Sequence, residues 1–470
     1  MELVNLNTLN NFEVVLYMSN QIWGWRNNYN GELHDSTFRT NTNIPKDSSG
    51  FLTNVIAISA GNRHSLALKA DGTVWAWGSN SNGQLGEDTF GINKNIPIQV
   101  RDSTDPTGFL TNVIAICASW RHSLALKIDG TVWAWGNNYD GQLGDGTSGI
   151  NKNTPVQVKD TTDPTGFLSN VIAISAGWFH SLAIKADGTV WTWGNNSKGQ
   201  LGDGTSGINK KIPVQVKDSN NPTGFFNNAI AIFASWSHSL ALKADGTVWA
   251  WGNNYDGQLG DGTSGINKNI PVQVKDSTGF ISNIRAISAG WFHSLALKTD
   301  GRVWAWGGNS SGQLGDGIFG TNKKIPVQVK DTTNCTGFLN NVISISAGWS
   351  HSIALKTDGT VWAWSRNIEG QLGDGTSGTN KNIPVQVKHS TNSLDFLTNV
   401  IAISAGWSHS LALKTDGTVW AWGNNCNGQL GDGTSGTNKN IAVQVKDITD
   451  SFNFITNVMD ISAGDRYFRH

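Results

Sequence analysis

The sequence predicts an all-β protein, a single β-propeller of four-stranded blades, and three observations support this prediction. One phrase recurs along almost the whole chain at intervals of 58 residues, shortened once to 55. Each copy contains short strand-like runs, two of them joined by Asp-Gly, and no helical pattern. Both faces of these runs are largely apolar, so each small sheet must be covered on both sides. Repeated small sheets that are buried on both faces are typical of propellers.

A histidine marks the period of the repeat. Val55 begins the phrase VIAISAG, which is followed by NRHSLALKADGTVWAWGSNSNGQLG. The histidine of this phrase recurs at seven positions: His64, His122, His180, His238, His293, His351 and His409. A period of this length indicates that each copy buries surface against its neighbours.

The four strands of a copy follow from its turn residues. Ile-Ala-Ile-Ser is a first run, His-Ser-Leu-Ala-Leu-Lys a second, and Thr-Val-Trp-Ala-Trp-Gly a third. Asp-Gly between the second and third runs predicts a hairpin, because both central residues of such a tight turn adopt positive φ. A fourth strand, residues 212–217 in one copy, contains polar residues and an early proline, which suits the edge of a sheet.

The side chains of the second and third strands predict how neighbouring sheets pack. Leu66 and Leu68 lie on one face of the second strand, and Trp75 and Trp77 share one face of the third. The residues that alternate with them are small or apolar. Each buried tryptophan brings about 150–250 Å² of contact. We therefore expect the tryptophans of one blade to pack against smaller residues of the next blade.

The repeat count predicts the domain organisation. Seven complete repeats span residues 55–112, 113–170, 171–228, 229–283, 284–341, 342–399 and 400–457. Residues 1–54, with the worn hairpin VVLYMSNQIWGW, and residues 458–470, with a lone first strand, supply the two parts of an eighth repeat. Pairing of these ends closes the ring. The sequence thus predicts one propeller domain over residues 1–470, with eight blades by this count and seven blades as the alternative.

Composition and charge exclude several classes of protein. With 34 basic and 35 acidic residues the net charge is −1, so no bulk field favours nucleic acid or anionic lipid. No run approaches 18 apolar residues, which excludes a membrane-spanning helix. Cys117, Cys335 and Cys426 make no disulfide framework, and the N-terminus shows no signal-peptide pattern. We therefore expect a cytoplasmic monomer without nucleic-acid or membrane partners.

The repeated phrase, A-G-x-x-H-S-L-A-L-K-x-D-G-x-V-x-x-W-G-x-N-x-x-G-Q-L-G, resembles the repeat of the regulator of chromosome condensation family over residues 12–468. The resemblance implies a propeller that usually has seven blades. Members of this family exchange guanine nucleotide on the Ran GTPase, sense ultraviolet-B light in plants or inhibit bacterial β-lactamases. A shared fold does not choose among these functions.

The repeated polar residues do not predict catalysis. The seven His-Ser pairs spread around a ring, whereas a base, a nucleophile and an orienting acid must converge on one spot. We expect each histidine to hydrogen-bond the backbone at the start of its second strand. The Asn-Asn-x-Asp-Gly loops, residues 137–141 and 253–257, lack the glutamate of a calcium loop, and Gly-Gln-Leu-Gly-Asp-Gly lacks the features of a phosphate site. The sequence predicts no enzyme, no metal and no cofactor.

The tryptophans outside the hairpins mark a candidate binding site. Eight hairpins with two tryptophans each account for 16 of the 22. The other six, all two residues before the repeated histidine, are Trp120, Trp178, Trp236, Trp291, Trp349 and Trp407. If the first strands line the axis, these turns form a broken ring of exposed indoles at one mouth of the propeller, interrupted by Asn62 and Asp465. The alternative is that each tryptophan tucks into the groove between two blades as extra core.

These observations predict a non-enzymatic binding or scaffold propeller. The predicted partner-binding residues are Trp120, Arg121, Trp178, Phe179, Trp236, Trp291, Phe292, Trp349 and Trp407. Resemblance to the β-lactamase inhibitor favours a protein partner, with a glycan as the alternative ligand. Guanine-nucleotide exchange on a Ran-like small GTPase is the alternative function, although no insertion breaks the period as a wedge would. Light sensing is disfavoured, because only Trp120-Arg121-His122 keeps the Trp-Arg-His triplet of that relative.

Overall fold

The computed structural model describes residues 52–218, 221–331, 333, 337–389, 395–446 and 454–463, together with the strands of residues 14–18, 21–26 and 42–47. All regular elements in this part of the chain are β-strands. It contains no helix of the length and hydrophobicity that crossing a bilayer requires. The all-β prediction is therefore confirmed.

Seven blades repeat the same four strands and are numbered here in chain order, from blade 1 (residues 55–112) to blade 7 (residues 400–457). The first strands are Val55–Ala60, Val113–Ala118, Val171–Ala176, Ala229–Ala234, Ile284–Ala289, Val342–Ala347 and Val400–Ala405. The second strands are His64–Lys69, His122–Lys127, His180–Lys185, His238–Lys243, His293–Lys298, His351–Lys356 and His409–Lys414. The third strands are Val74–Gly78, Val132–Gly136, Val190–Gly194, Val248–Gly252, Val303–Gly307, Val361–Ser365 and Val419–Gly423. The fourth strands are Lys94–Gln99, Lys152–Gln157, Lys210–Gln215, Lys268–Gln273, Lys323–Gln328, Lys381–Gln386 and Lys439–Gln444.

Within each blade the four strands are antiparallel and lie in chain order, first to fourth. The first strands of successive blades contact one another, so they surround the axis, and the fourth strands form the outer edges. Small two-stranded hairpins occur in two of the links between blades: Lys217–Asp218 with Asn221–Phe225, and Lys275–Asp276 with Gly279–Phe280. This arrangement is the propeller that the sequence predicts.

The two ends of the chain form one more four-stranded sheet. Its strands are Val458–Ser462, Val14–Met18, Gln21–Arg26 and Thr42–Asp47, in that order. Val458–Ser462 contacts the second strand of blade 7 and the first strand of blade 1, so this sheet lies between those two blades. The predicted pairing of the chain ends is therefore present. Seven four-stranded blades are each continuous in the chain, so the seven-blade alternative is supported and the main count of eight blades is not.

Apolar side chains fill the space between successive blades. Trp133 and Trp135 of blade 2 pack against Leu66, Leu68 and Val74 of blade 1 in one cluster. Equivalent clusters join the other continuous blades. The second tryptophan of each of the seven described third strands is completely buried. The expected packing of tryptophans against smaller residues of the neighbouring blade is therefore confirmed.

A histidine, a serine and a glutamine carbonyl join each blade to the next. The Nε2 atom of His180 in blade 3 lies 3.0 Å from the Oγ atom of Ser239 in blade 4. That hydroxyl donates to the carbonyl oxygen of Gln200, at 3.0 Å, so His180 donates through its Nε2–H. The indole N–H of Trp251 donates to the same carbonyl, at 2.8 Å. The Gly-Gln-Leu-Gly loop thus supplies an acceptor that joins two blades.

The expected bond from this histidine to the backbone is therefore wrong. Equivalent bonds between a histidine and a serine of the next blade occur at five further interfaces. Adjacent residues on a strand point to opposite faces, so the histidine of one blade and the serine of the next meet between them. Burial lowers the pKa of His180 to about 3, which keeps the ring neutral at neutral pH.

A second set of hydrogen bonds runs between neighbouring first strands around the axis. The backbone N–H of Ala234 donates to Oγ of Ser175 in the preceding blade, at 3.1 Å, and the same bond recurs at four other interfaces. Blade 4 has Phe233 in place of this serine. Its Ser235 instead donates to the carbonyl oxygen of Gly290 in the following blade, at 2.9 Å. Blade 4 therefore keeps a bond across the interface by a different residue.

The third strand ends at a residue with positive φ. Gly194 has a φ of 101°, and a Cβ atom there would lie 2.5 Å from the carbonyl oxygen of Phe179. Blade 6 carries Ser365 at the equivalent position, with a φ of 90°. The Oγ atom of Ser365 donates to the carbonyl oxygen of Ser350, at 2.5 Å. This bond offsets part of the strain that a side chain introduces at such a φ.

Candidate binding site

The turns between the first and second strands bring the six tryptophans outside the hairpins to one end of the axial channel. All first strands run along the axis in the same direction, so their C-terminal ends surround one opening. A pocket at this opening is lined by Trp178, Trp236, Trp291 and Trp349, together with alanine and glycine residues from the ends of the first strands. We call this end of the channel, with its six tryptophan-bearing turns, the tryptophan mouth.

Trp178 lies at the centre of one half of the tryptophan mouth. It stacks on Trp120 with ring centroids 5.0 Å apart and on Trp291 with centroids 5.6 Å apart. Trp236 meets Trp178 and Trp291 edge-on, at 6.2 and 5.2 Å. Offset-stacked and edge-on geometries are the ones that aromatic pairs prefer.

Trp291 connects this half to the other half. Its ring centroid lies 5.3 Å from that of Trp349 and 5.5 Å from that of Trp407. Trp349 and Trp407 stack on each other at 4.0 Å. The six indoles therefore form one continuous aromatic cluster over the turns of blades 2–7.

The cluster is neither fully exposed nor sealed between the blades. Five of its tryptophans are half-buried, and Trp178 is 9% exposed. The apolar clusters between the described blades do not include any of the six. The six indoles gather at one mouth as expected, but the expectation that they are fully exposed is wrong, because each covers part of its neighbours. The alternative of extra core between the blades is also not what the structure shows.

Two phenylalanines extend the aromatic cluster on one side. Phe292 stacks on Trp291 with centroids 5.0 Å apart. Phe179 meets Trp120 edge-on, at 5.1 Å. At three other turns the residue after the tryptophan is a buried serine: Ser237, Ser350 and Ser408. The mouth therefore differs from blade to blade, as an asymmetric recognition surface must.

Two arginines place positive charge against the cluster. The guanidinium of Arg121 lies over the ring of Trp120, 4.3 Å from its centroid. The guanidinium of Arg366, in the loop after the third strand of blade 6, lies 5.4 Å from the centroid of Trp349. Arg366 also pairs with Glu369 at 3.2 Å. All nine predicted binding residues thus lie together at one mouth, while Asp465 lies outside the described residues.

Sequence reasoning missed two tyrosines beside the mouth. Tyr139 and Tyr255 are 76% and 77% exposed at the tips of their Asn-Asn-Tyr-Asp-Gly loops. Tyr255 lines a groove together with Lys198, Trp236 and Phe292, so this loop lies on the same face as the mouth. The signal was present in the sequence: this position is aromatic in blades 2 and 4 and Ser, Ile or Cys in blades 1, 3, 5, 6 and 7.

The groove also contains an acidic side chain, Asp256, whose pKa is raised and which accepts a hydrogen bond from the next blade. Asp256, next to Tyr255, is partly withdrawn from water, and this desolvation raises the pKa of its carboxyl group. The side-chain amide of Asn322 in the next blade donates to this carboxylate, at 2.7 Å. The carboxylate is therefore engaged in holding two loops together.

Among the described residues, no titratable side chain lines the mouth pocket. The repeated histidines bond serines between the blades and do not line the mouth pocket. In the part of the chain that the structure describes, no group of three or more His, Cys, Asp or Glu residues could hold a metal ion. What the mouth offers chemically is aromatic area, indole N–H groups and guanidinium charge.

The opposite end of the channel carries a different apolar group. The second residue of the first strand, at a bulge, is an exposed Ile56, Ile114, Ile172, Ile230, Ile343 or Ile401 in six of the seven blades. Arg285 takes this place in blade 5 and donates to the carbonyl oxygen of Val342, at 2.8 Å. This end, which we call the isoleucine mouth, lies about six strand residues from the tryptophan mouth.

Comparison with known proteins agrees with this architecture. The family model of the RCC1-like domain matches residues 4–317 and 102–468. The ultraviolet-B receptor UVR8 of Arabidopsis thaliana is 30% identical over 81% of this chain and 79% of its own length. The human E3 ubiquitin-protein ligase HERC2 is also 30% identical over 77% of this chain, but the match spans only 7% of HERC2.

A solved structure shows the same fold. Prp20p from Saccharomyces cerevisiae superimposes with a TM-score of 0.61 and 23% sequence identity, over 85% of this chain and 92% of Prp20p. The description of that structure includes binding of Prp20p to Gsp1p and histones.

Proposed function

This chain belongs to the RCC1-like domain family, and we propose that it is a non-enzymatic binding propeller whose tryptophan mouth docks onto a protein partner. Proteins of this family act as exchange factors or as interaction scaffolds. The observation that carries the proposal is the single cluster of six indoles at one opening. Rigid aromatic side chains gathered at the centre of a surface are typical of binding hot spots.

The surroundings of the cluster support a protein partner over a repetitive ligand. Phe179, Phe292, Arg121 and Arg366 each occur at one or two blades only. An identical ring of sites would suit a repeating polymer, whereas a mouth that differs around its circumference fixes one orientation of one partner. The exposed Tyr255 extends the surface outward over blade 4.

The test is capture of a partner by variants of each mouth. We expect Trp236→Ala, Trp291→Ala and Trp349→Ala, made together, to abolish capture of the proteins that the wild type recovers from a lysate of its source. A hot-spot residue contributes about 2 kcal/mol or more to the binding free energy. Loss of three such residues removes about 6 kcal/mol from the roughly 8 kcal/mol of a micromolar complex, so the complex would not survive capture. Recovered proteins are identified and quantified by mass spectrometry.

A triple variant of the isoleucine mouth is the matched control. Ile56→Ala, Ile172→Ala and Ile401→Ala change three exposed apolar residues at the other opening, so capture through the tryptophan mouth should persist. Both variants must unfold at a temperature close to that of the wild type. Equal capture by all three proteins would remove the tryptophan mouth as the docking surface.

Exchange of guanine nucleotide on a Ran-like small GTPase is the second candidate function. It is supported by the family and by the shared fold with Prp20p, whose binding to Gsp1p is described. This function predicts faster release of fluorescent GDP from such a GTPase when the propeller is added. A release rate that does not depend on propeller concentration would exclude it, and capture through the tryptophan mouth would be unaffected.

A further inference from the structure

The pocket beneath the indole cluster contains two hydrogen-bond donors without partners. The indole nitrogens of Trp291 and Trp349 are buried and have no hydrogen-bond partner among the described residues. Both tryptophans line the pocket, and their ring centroids are 5.3 Å apart. Buried polar groups are almost always hydrogen-bonded, and the indole N–H is a donor only. Two residues of the pocket lining therefore carry donors whose acceptor the described residues do not supply.

The remaining residues that line the pocket are mostly apolar, and none of their side chains is charged. Its floor consists of residues at the ends of the first strands, among them Ala289, Ala347 and Ala405. An acceptor that enters thus finds indole faces, the ring of Phe233 and methyl groups around it, while the hydroxyl of Ser235 already donates to the carbonyl oxygen of Gly290.

The electrostatic environment favours a negative acceptor. The guanidinium groups of Arg121 and Arg366 lie against Trp120 and Trp349, two members of the cluster. The charge of Arg366 also acts on the interior of the propeller. There the pKa of His351 is lowered first by burial, then by the neighbouring His293 and by Arg366. A cationic ligand would compete with both guanidinium groups, whose positions against indole faces already use part of the cluster's capacity for cations, although Arg366 is also paired with Glu369.

We propose that the pocket of the tryptophan mouth receives a carboxylate presented by the partner, which accepts hydrogen bonds from the indole N–H groups of Trp291 and Trp349. This inference rests on the proposed function and names the chemistry of its central contact. A carboxylate has two acceptor oxygens, so one group satisfies both donors. The partner therefore inserts an acidic side chain or a chain terminus at the centre of the interface.

The direct test follows the indole N–H signals of ¹⁵N-labelled protein by NMR. Sodium acetate, acetamide and tetramethylammonium chloride are titrated separately at constant ionic strength. We expect acetate to shift the signals of Trp291 and Trp349, with acetamide weaker and tetramethylammonium without effect. Signals are assigned from Trp291→Phe and Trp349→Phe, which keep an aromatic ring and remove the N–H. Equal shifts with acetamide, binding of tetramethylammonium or no shift with acetate would each overturn the proposal.

A second experiment separates this inference from the proposed function. The double variant Trp291→Phe and Trp349→Phe should bind the captured partner at least about a hundredfold more weakly, the effect of two lost hydrogen bonds to a charged group. Trp236→Phe is the matched control, because Trp236 lines the same pocket and its N–H is not one of the two buried unpaired donors. Full affinity of the Phe double variant, with capture lost in the Ala triple variant, would overturn the carboxylate while the docking surface stands.

Discussion

The third-strand tryptophans and the mouth tryptophans are one residue type in two environments. Trp193 is completely buried between blades 2 and 3, and its N–H donates to the carbonyl oxygen of Gln142 at 2.8 Å. Trp291 packs mainly on other aromatic rings, and its buried N–H has no partner among the described residues. The difference teaches that a repeated pattern satisfies the second tryptophan of six third strands, whereas the mouth leaves two donors without a partner in the described chain. Among the first tryptophans, the N–H of Trp304 is also unpaired, in the blade where Arg302 replaces the usual threonine.

The largest expected effect on the interior is produced by acid. Burial lowers the pKa of six histidines between the blades, to about 4 for His293 and to about 3 for the others: His64, His122, His180, His238 and His351. In the unfolded chain these rings protonate near pH 6.5. The unfolded state therefore binds more protons below that pH, and the free energy of unfolding falls by about 1.4 kcal/mol per pH unit for each histidine.

Urea unfolding at several pH values measures this effect. Stability should be constant above about pH 7 and fall steeply between about pH 6.5 and 4.5, a window above the normal range of carboxyl groups. His180→Gln should make the free energy of unfolding fall less steeply with decreasing pH, by about 1.4 kcal/mol per pH unit. A free energy of unfolding that stays level down to pH 5 would contradict the neutral histidine between the blades.

Truncation of a single tryptophan compares the two environments directly. Trp193→Ala should lower the free energy of unfolding by about 3–5 kcal/mol, because it opens a cavity between two blades and leaves the Gln142 carbonyl with one donor fewer. Trp407→Ala, in the half-buried cluster, should lower it by about 1 kcal/mol. Denaturant midpoints measure both changes. Equal losses would mean that the mouth tryptophans are structural core after all.

A smaller effect than that of Trp193→Ala is expected at the end of the third strand, beneath a mouth turn. Gly194→Ser should lower the free energy of unfolding by about 1–3 kcal/mol, because the new Cβ meets the carbonyl oxygen of Phe179 at a positive φ. Ser365→Gly is the reciprocal change in blade 6 and should be nearly neutral, since relief of strain offsets the lost bond to Ser350. The unfolding temperatures of both variants, compared with that of the wild type, measure these changes. A stabilising Gly194→Ser would refute the steric argument.

Much of the fold was predictable because the same pattern of strands and turns occurs in seven copies of the repeat. Asp-Gly turns, apolar alternation and the tryptophan pairs predicted the strands, the hairpins and the packing of each sheet on the next. The histidine contact was missed because its acceptor, the serine of the following blade, lies 59 residues away, for example between His180 and Ser239. A pattern within one repeat contains no information about which face of the neighbouring repeat it will meet.

For the candidate site, the residues and their placement at one opening were predictable, but their mutual contacts were not. The six extra tryptophans and their varied neighbours could be read from the period, as could their placement at one opening. That Trp349 and Trp407 stack at 4.0 Å, or that Trp178 contacts Trp291 two blades away, could not. These contacts depend on the width of the channel, because side chains from turns around the axis meet only when the ring closes tightly.

The amino-acid sequence by itself determined the strand pattern, the repeat boundaries and the pairing of the chain ends, since these follow from periodicity and turn chemistry in short stretches of chain. Only the tertiary structure decided which atoms face one another across the blades and across the axis. Ring closure brings residues tens to hundreds of positions apart within hydrogen-bond and stacking distance. It thereby joins the second tryptophan of six third strands to a carbonyl of the preceding blade and leaves the indole N–H groups of Trp291 and Trp349 without a partner in the described chain.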